Sequence, residues 1–469
     1  MEFAWLLQGA GGVIGQLPSW LHGPRPSVLA ALVALLIGLL IIKAISLHRR
    51  RRAARVRSER ARDEAIILKG QLRQRLSEPV NLFGGGINAA PTMGACEAFE
   101  GDIDAAARTV LTEAGGHRAK AKQLLRKRMN GHGAPDGKLN GSEVAYWRQL
   151  GALSLLDGID DALPAYARAA DLAPENAEAQ MLAGVLHLRA GNLDAAEAAF
   201  RRQIALGRAS NGEGGLARYR GHTMLGDVLV AREAHDEAMA AYAEAQGEVR
   251  ALLERDPQQV GLKRDLSVTC DRIGDMHVEK GDLDRALASY RQSLEIAEEL
   301  AERDPQSAVW QHDLSVSCDR IGELLDKKGD REGALESFRK SLAIAKALVL
   351  RDPDNVQWQS DLAASHDRIG DVLIAGGKLK EALASYRRGL VVAEALAKRD
   401  PAHAGWQRDL AVSYHKIGSL VAIDDPAEAR ELLEKGRAII DRLARIAAYQ
   451  AQWRSDLSRF DEVLKTLDS

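Results

Sequence analysis

From about residue 145 onward, the chain repeats one pattern of apolar and polar positions. In the unit that begins at Asp265, apolar or small side chains recur three or four residues apart, which predicts an amphipathic helix, at Leu266, Thr269, Ile273 and Met276. Gly281-Asp282 interrupts this pattern, and a second helical stripe follows at Leu283, Ala286, Leu287, Tyr290, Leu294 and Ala297. Asp304-Pro305 ends the second stripe, because the residue before a proline resists the helical conformation. Each unit therefore predicts two helices, A and B.

The units recur with a fixed period. Glycines lie 48 residues apart at Gly226, Gly274, Gly322, Gly370 and Gly418. Asp-Pro pairs share this spacing at Pro257, Pro305, Pro353 and Pro401, and tryptophans share it at Trp310, Trp358 and Trp406, with Trp453 following after 47 residues. Such a period predicts stacked helical repeats, and the 4% aromatic content argues against an extensive sheet.

A different pattern precedes the repeats. Residues 28–47 are apolar except for Lys43, and twenty helical residues rise about 30 Å, the hydrocarbon thickness of a bilayer. We expect a transmembrane helix here, with a buried core helix as the alternative. Eight arginines follow between Arg49 and Arg62, which predicts a single-pass protein of the inner (cytoplasmic) membrane with its N-terminus outside and its repeats in the cytoplasm. The candidate ligands of anionic lipid headgroups are Arg49, Arg50, Arg51, Arg52, Arg55 and Arg57, which could otherwise serve only as a topology signal.

The glycine, alanine and aromatic positions of the helix pairs resemble the tetratricopeptide repeat (TPR) family. Gly184, Gly191, Ala196 and Phe200 match one ordinary 34-residue repeat, and Trp147, Leu150, Gly151, Ala162, Tyr166 and Pro174 match another. The five later units resemble the long-helix variety found in kinesin light chain and many bacterial arrays. The resemblance implies an all-α fold, a right-handed TPR superhelix (α-solenoid), which we expect on a single-pass transmembrane helix.

The predicted organisation has seven segments. They are an extracytoplasmic segment (1–27), the transmembrane helix (28–47), a basic juxtamembrane helix (48–78), a linker with short helices (79–142), two 34-residue TPR units (143–212), five 48-residue TPR units (213–453) and a C-terminal cap helix (454–469). A cap is expected because the last repeat of an array otherwise exposes an apolar face.

Charge and the absence of catalytic motifs limit the possible functions. The net charge of −2 is the sum of a basic N-terminal segment, residues 1–80, and an acidic remainder of the chain. The acidic charge of the repeats argues against nucleic-acid binding. No phosphate-binding loop, zinc-protease, nucleophile-elbow or kinase motif occurs, so we expect no enzyme, no cofactor and no metal site. Cys270 and Cys318 occupy equivalent positions, which indicates packing rather than a shared metal or a disulfide.

Acidic residues form one more regular feature. They form three pairs that recur every 48 residues, at Asp271 and Asp275, Asp319 and Glu323, and Asp367 and Asp371. The two acids of each pair lie four residues apart, which places them on one face of helix A. The TPR resemblance implies that these positions line the concave groove. Such an acidic ladder predicts a basic or amine-bearing partner, and the alternative is a solvated face partly neutralised by Arg272, Arg320 and Arg368.

We therefore expect a membrane-anchored, non-catalytic TPR scaffold that binds a protein or peptide at the cytoplasmic face. One alternative is a sensor or effector of a signalling or defence system that acts through ligand-dependent clustering of its membrane segment. Another is an accessory protein of envelope assembly. Self-association is left open.

Overall fold

The computed structural model describes Lys43 and residues 54–72, 80–82, 85–87, 93–131, 141–155, 157–210, 214–446 and 451–467. Helices dominate this part of the chain. A short antiparallel hairpin pairs β1 (Val80–Leu82) with β2 (Gly85–Ile87), with Val80 opposite Ile87.

The chain divides into two compact units. The first contains most of helix α1 (residues 54–72), the second half of α2 (Met93–Ala106, continuing as a π-helical turn over Ala107–Leu111) and α3 (Arg118–Gly131). Its core contains Leu68, Ile103 and Leu125, each at most 1% exposed. Lys69 forms an ion pair with Asp104 at 2.6 Å.

The second unit is a solenoid of helical repeats. Its A helices are α4 (Gly141–Ser154), α6 (Ala177–Arg189), α8 (Gly215–Ala231), α10 (Val260–Glu279), α12 (Ala308–Lys327), α14 (Val356–Ala375) and α16 (Ala404–Val421). Its B helices are α5 (Ile159–Leu172), α7 (Leu193–Ala209), α9 (His235–Arg255), α11 (Leu283–Arg303), α13 (Arg331–Arg351), α15 (Leu379–Arg399) and α17 (Pro426–Ile446). Helix α18 (Ala451–Leu467) follows them.

In the first four of the five long helix pairs, a glycine on helix A packs against an aromatic ring on helix B. The ring of Phe338 on helix B lies so close to Gly322 on helix A that a Cβ on this glycine would be 2.6 Å from the ring. Gly274 meets the ring of Tyr290 in the same way. The recurring glycine therefore permits a close approach of the two helices that any larger side chain would obstruct.

The turn between the two helices also follows from local chemistry. Gly281 has a φ of 74°, which glycine adopts without strain. Asp282 then caps helix α11 by accepting a hydrogen bond from the Arg285 backbone N–H at 3.1 Å. Ser307 caps the next A helix in the same way, by accepting from the Trp310 backbone N–H.

The membrane assignment requires correction. Among the residues that the structure describes, no helix is both long enough and apolar enough to span a membrane, because the long helices are amphipathic and carry charged residues along their length. The predicted single-pass anchor in the inner membrane, and the localisation drawn from it, are therefore not supported. The segment that prompted the prediction, residues 28–47, lies outside the described residues except for Lys43.

Candidate functional site

The six predicted acids lie on three successive A helices, α10, α12 and α14. The first acid of each pair is largely covered: the side chains of Asp271 and Asp319 are each 13% exposed. Asp367 lies beside Gly389 of helix B in its own repeat. In all three aspartates the Oδ1 atom is buried without a hydrogen-bond partner among the described residues.

The second acid of each pair is more accessible. The side chains of Asp275, Glu323 and Asp371 are 37%, 51% and 50% exposed. The Tyr290 hydroxyl donates a hydrogen bond to Asp275 at 2.6 Å, and the Tyr386 hydroxyl does the same for Asp371 at 2.6 Å. The middle repeat has a phenylalanine in place of the tyrosine, so the longer Glu323 receives no hydroxyl there.

Each acid pair meets one cation from the next repeat. Arg320 contacts Asp275 through Nη1 and lies 3.7 Å from Asp271. Arg368 donates to Glu323 at 2.9 Å and to Asp319 at 3.1 Å.

Lys416 occupies the same position one repeat later and donates to Asp371 at 2.8 Å. The helix-A face therefore alternates acid pairs with single cations, and each ion pair joins two neighbouring repeats.

Sequence reasoning missed the first step of this series. Arg272 donates to Asp227 of the preceding repeat through Nε at 2.7 Å and through Nη2 at 3.0 Å, and the Tyr242 hydroxyl donates to the same carboxylate at 2.7 Å. We call the complete series the cation–acid ladder; it consists of Arg272 with Asp227, Arg320 with Asp275, Arg368 with Glu323, and Lys416 with Asp371. The signal in the sequence is an acid followed by a basic residue 45 positions later, four times in succession.

The covered acids are electrostatically unusual. Burial raises the pKa of Asp271, Asp319 and Asp367 to about 6, although the cation of the next repeat acts in the opposite direction. At neutral pH these carboxyls are still mainly ionised. Each step from α10 to α14 then presents two negative charges to one positive charge.

A second row of ion pairs crosses the repeats near the starts of helices α10 and α12. Arg264 forms a bidentate ion pair with Asp313 of the next repeat, and its Nη2 donates to Oδ1 at 2.9 Å. His312 lies 3.0 Å from Asp361 in the equivalent place. Burial lowers the pKa of His312, but the hydrogen bond and charge of Asp361 raise it further, so its net pKa is above the ordinary value.

The structure describes only two of the six arginines that were predicted to bind lipid headgroups. Arg49, Arg50, Arg51 and Arg52 lie outside the described residues, whereas Arg55 and Arg57 lie on α1. Arg55 forms an ion pair with Glu59 at 3.1 Å. Their role at lipid headgroups stays a prediction.

The two repeat cysteines are covered. Cys270 and Cys318 are buried, and burial raises the pKa of both thiols to about 11. Cys270 contacts Gln292 at 3.3 Å. A thiol in such surroundings stays protonated and is a poor nucleophile.

Comparison with known families identifies the repeat type. Two models described as "Tetratricopeptide repeat" match, one at residues 156–213 and the other at residues 269–304 and 317–352. These segments coincide with helix pairs of the second unit. The family matches therefore support a TPR-type repeat array. A search of curated protein sequences finds no match.

Several solved structures are similar to this chain at low identity. BtubC (BKLC) from P. vanneervenii is 16% identical, and the match covers 55% of this chain and 91% of that one with a TM-score of 0.40. A tetratricopeptide repeat protein from Parabacteroides merdae is 15% identical, with 68% and 99% covered and a TM-score of 0.40. The repeats of a putative kinesin light chain from Podospora anserina are 18% identical, with 49% and 97% covered and a TM-score of 0.35.

Proposed function

We propose that the protein is a non-catalytic scaffold whose helix-A face binds a basic peptide segment of a partner protein. The observation that carries this proposal is the charge ratio of the face from α10 to α14, where two acids stand against one cation at each of the three steps. A TPR-type array supplies the scaffold, and repeats of this family generally act in protein–protein interaction. The excess negative charge supplies the preference for a basic ligand.

The accessible acids are the expected contact points. Glu323 and Asp371 are half exposed, so a lysine or arginine of a partner can reach them without entering the core. Arg368 and Lys416 already contact these acids, so a partner cation would share the carboxylates with them. Such contacts are partly solvated, and we expect moderate affinity with a strong dependence on ionic strength.

The test measures peptide binding to the full chain by fluorescence anisotropy. The probes are labelled synthetic peptides of one length that carry spaced lysines, spaced glutamines or spaced glutamates. We expect the lysine peptides alone to bind, with affinity that decreases as salt increases. The variant Glu323→Gln/Asp371→Asn is expected to weaken binding several-fold, at roughly 1 kcal/mol or less for each partly exposed charge.

A matched control removes two exposed acids elsewhere. Glu295 and Glu298 lie on the exposed side of helix B in the second long repeat, and neither belongs to the cation–acid ladder. Glu295→Gln/Glu298→Gln has the same change in net charge, so it separates a local effect from a general one. Equal binding losses in both variants, or lysine peptides that bind no better than glutamine peptides, would contradict the proposal.

A further inference from the structure

One acid near the start of an A helix lacks the basic partner that its counterparts have. The second row of ion pairs joins a basic residue of one A helix to an acid one repeat later, in Arg264 with Asp313, His312 with Asp361, and Arg408 with Asp456. The corresponding pair between α14 and α16 is Ser360 with Asp409, in which serine replaces the basic residue. Within the described part of the chain, Asp409 forms no hydrogen bond and no ion pair. The row therefore has a gap at this carboxylate.

The gap is open to solvent. Asp409 is exposed, whereas the side chains of Asp313 and Asp361, which have their partners, are only 22% and 24% exposed. One helical turn after Ser360, α14 has Ala364 where α10, α12 and α16 all have valine. Residues four positions apart lie on one face of a helix, so two short side chains on this face of α14 leave room in front of Asp409.

The basic residues nearest to Asp409 at the start of α16 are engaged elsewhere. They are Arg408 and His403. Arg408 donates through Nε to Asp456 of α18 at 2.7 Å. His403 caps α16 by accepting a hydrogen bond from the Trp406 backbone N–H at 3.1 Å, and its ring stacks on the indole of the same residue. Neither side chain therefore takes the place of the missing cation.

The open carboxylate also lies close to the cation–acid ladder. Burial is the main cause of the raised pKa of Asp367, and the charges of Asp371 and Asp409 raise it further, so Asp409 is within electrostatic reach of that acid pair. When both rows are included, the step from α14 to α16 has these three acids and one basic partner, Lys416. Each of the two preceding steps has three acids and two basic partners. The excess of acids on this face is therefore largest here.

We propose that a second basic side chain of the partner segment binds Asp409 in the position that Ser360 leaves open. This inference rests on the proposed function, because the first basic side chain is the one expected at Asp371. Lys416, which contacts Asp371, follows Asp409 by seven residues, so the two contact points lie about two helical turns or 10 Å apart along α16. An extended segment rises about 3.3 Å per residue, so the two basic residues of the partner are three positions apart.

The experiment compares two labelled peptides on the full chain by fluorescence anisotropy. One peptide carries two lysines three positions apart, and in the other the second lysine is glutamine. The wild type should bind the two-lysine peptide about two- to fivefold more tightly, as expected for one partly solvated ion pair. This preference should disappear in Asp409→Asn, which has no charge to offer. It should also disappear in Ser360→Arg, because the new arginine supplies the missing cation as Arg408 does for Asp456.

Two control variants carry the same changes in charge outside both rows. Ala343→Arg, at an exposed position of α13, matches Ser360→Arg, and Glu298→Gln on α11 matches Asp409→Asn. Both controls should keep the preference for the two-lysine peptide. Equal binding of the two peptides by the wild type, or a preference that persists in Asp409→Asn or is lost in the controls as well, would overturn this inference and leave the proposed function standing. A wild type that binds neither peptide would overturn both.

Discussion

The first ion pair of the cation–acid ladder should stabilise the array far more than the third, although both occupy the same repeat position. The side chains of Arg272 and Asp227 are only 11% and 3% exposed. Removing the cation in Arg272→Met would leave the carboxylate buried with only the Tyr242 hydroxyl as its partner. An uncompensated buried charge of this kind costs about 3–5 kcal/mol.

The third pair provides the matched comparison. The side chains of Arg368 and Glu323 are 32% and 51% exposed, so water compensates the loss of the Glu323 carboxylate, and Arg368 keeps its contact with Asp319 at 3.1 Å. We expect Glu323→Gln to cost about 1 kcal/mol or less. The difference between Arg272→Met and Glu323→Gln is then at least about 2 kcal/mol, because the charge left behind is buried in the first variant and remains paired in the second.

Urea denaturation followed by circular dichroism measures both effects, with the slope of the transition checked for each variant. The double variant Asp227→Asn/Arg272→Met should recover part of the loss, because it also removes the stranded charge. Equal losses for Arg272→Met and Glu323→Gln would refute the reasoning. So would a double variant that is less stable than Arg272→Met, since this would mean that the stranded carboxylate was not the source of the loss.

Three further predictions concern stability. Gly322→Ala should destabilise the chain by about 1–3 kcal/mol in urea denaturation, because its Cβ would lie 2.6 Å from the Phe338 ring. In the control Gly247→Ala, the new Cβ would meet nothing within 4 Å, so this variant should stabilise its helix by up to about 1 kcal/mol. The pKa of Asp319 rises from 3.8 to about 6 on folding, so this group favours folding most below about pH 4, and the benefit is lost as pH rises through 6. Asp319→Asn should therefore flatten the dependence of the unfolding free energy on pH by on the order of 3 kcal/mol. An unchanged dependence on pH would contradict this prediction. The pKa of His312 is raised in the folded state, so its ion pair with the Asp361 carboxylate is fully present below about pH 6.5 and is lost as pH rises through the folded-state pKa. An arginine stays charged at both pH values, so His312→Arg should raise the thermal midpoint more at about pH 8 than at about pH 5.5.

The helix pairs could be predicted from the sequence because their causes are local. Periodic apolar positions around Ile273 and Leu287 define the buried stripes, and Gly281 with Asp282 defines the turn between them. The contact between Gly274 and Tyr290 also follows from the repeat itself. These features depend on residues within one repeat, so the sequence of a single repeat is enough to predict them.

The partners of the acids could not be predicted in the same way. Arg320 follows Asp319 directly in the chain, but its side chain contacts Asp275 and Asp271 of the preceding repeat. On a helix, successive residues point in directions about 100° apart, so neighbours in sequence face different neighbours in space. Only the stacking direction of the repeats decides which acid the arginine meets.

Burial within each acid pair was equally hidden from the sequence. Asp319 and Glu323 lie one turn apart on the same helix, but 13% of the first side chain is exposed and 51% of the second. The difference arises because helix B of the same repeat covers the first position. A ladder that looks uniform in sequence is therefore two rows with different chemistry, one covered and one accessible.

The cation–acid ladder stops within the array at both ends. The first long repeat has Met224 at the position where later repeats carry the cation, and the last has Ser419 at the position of the second acid. Helix α18 ends the other row of ion pairs, because Asp456 accepts from Arg408 at 2.7 Å as the acid of a further repeat would. Neither end therefore leaves a ladder charge without its partner, so this chemistry gives no reason for copies to join end to end.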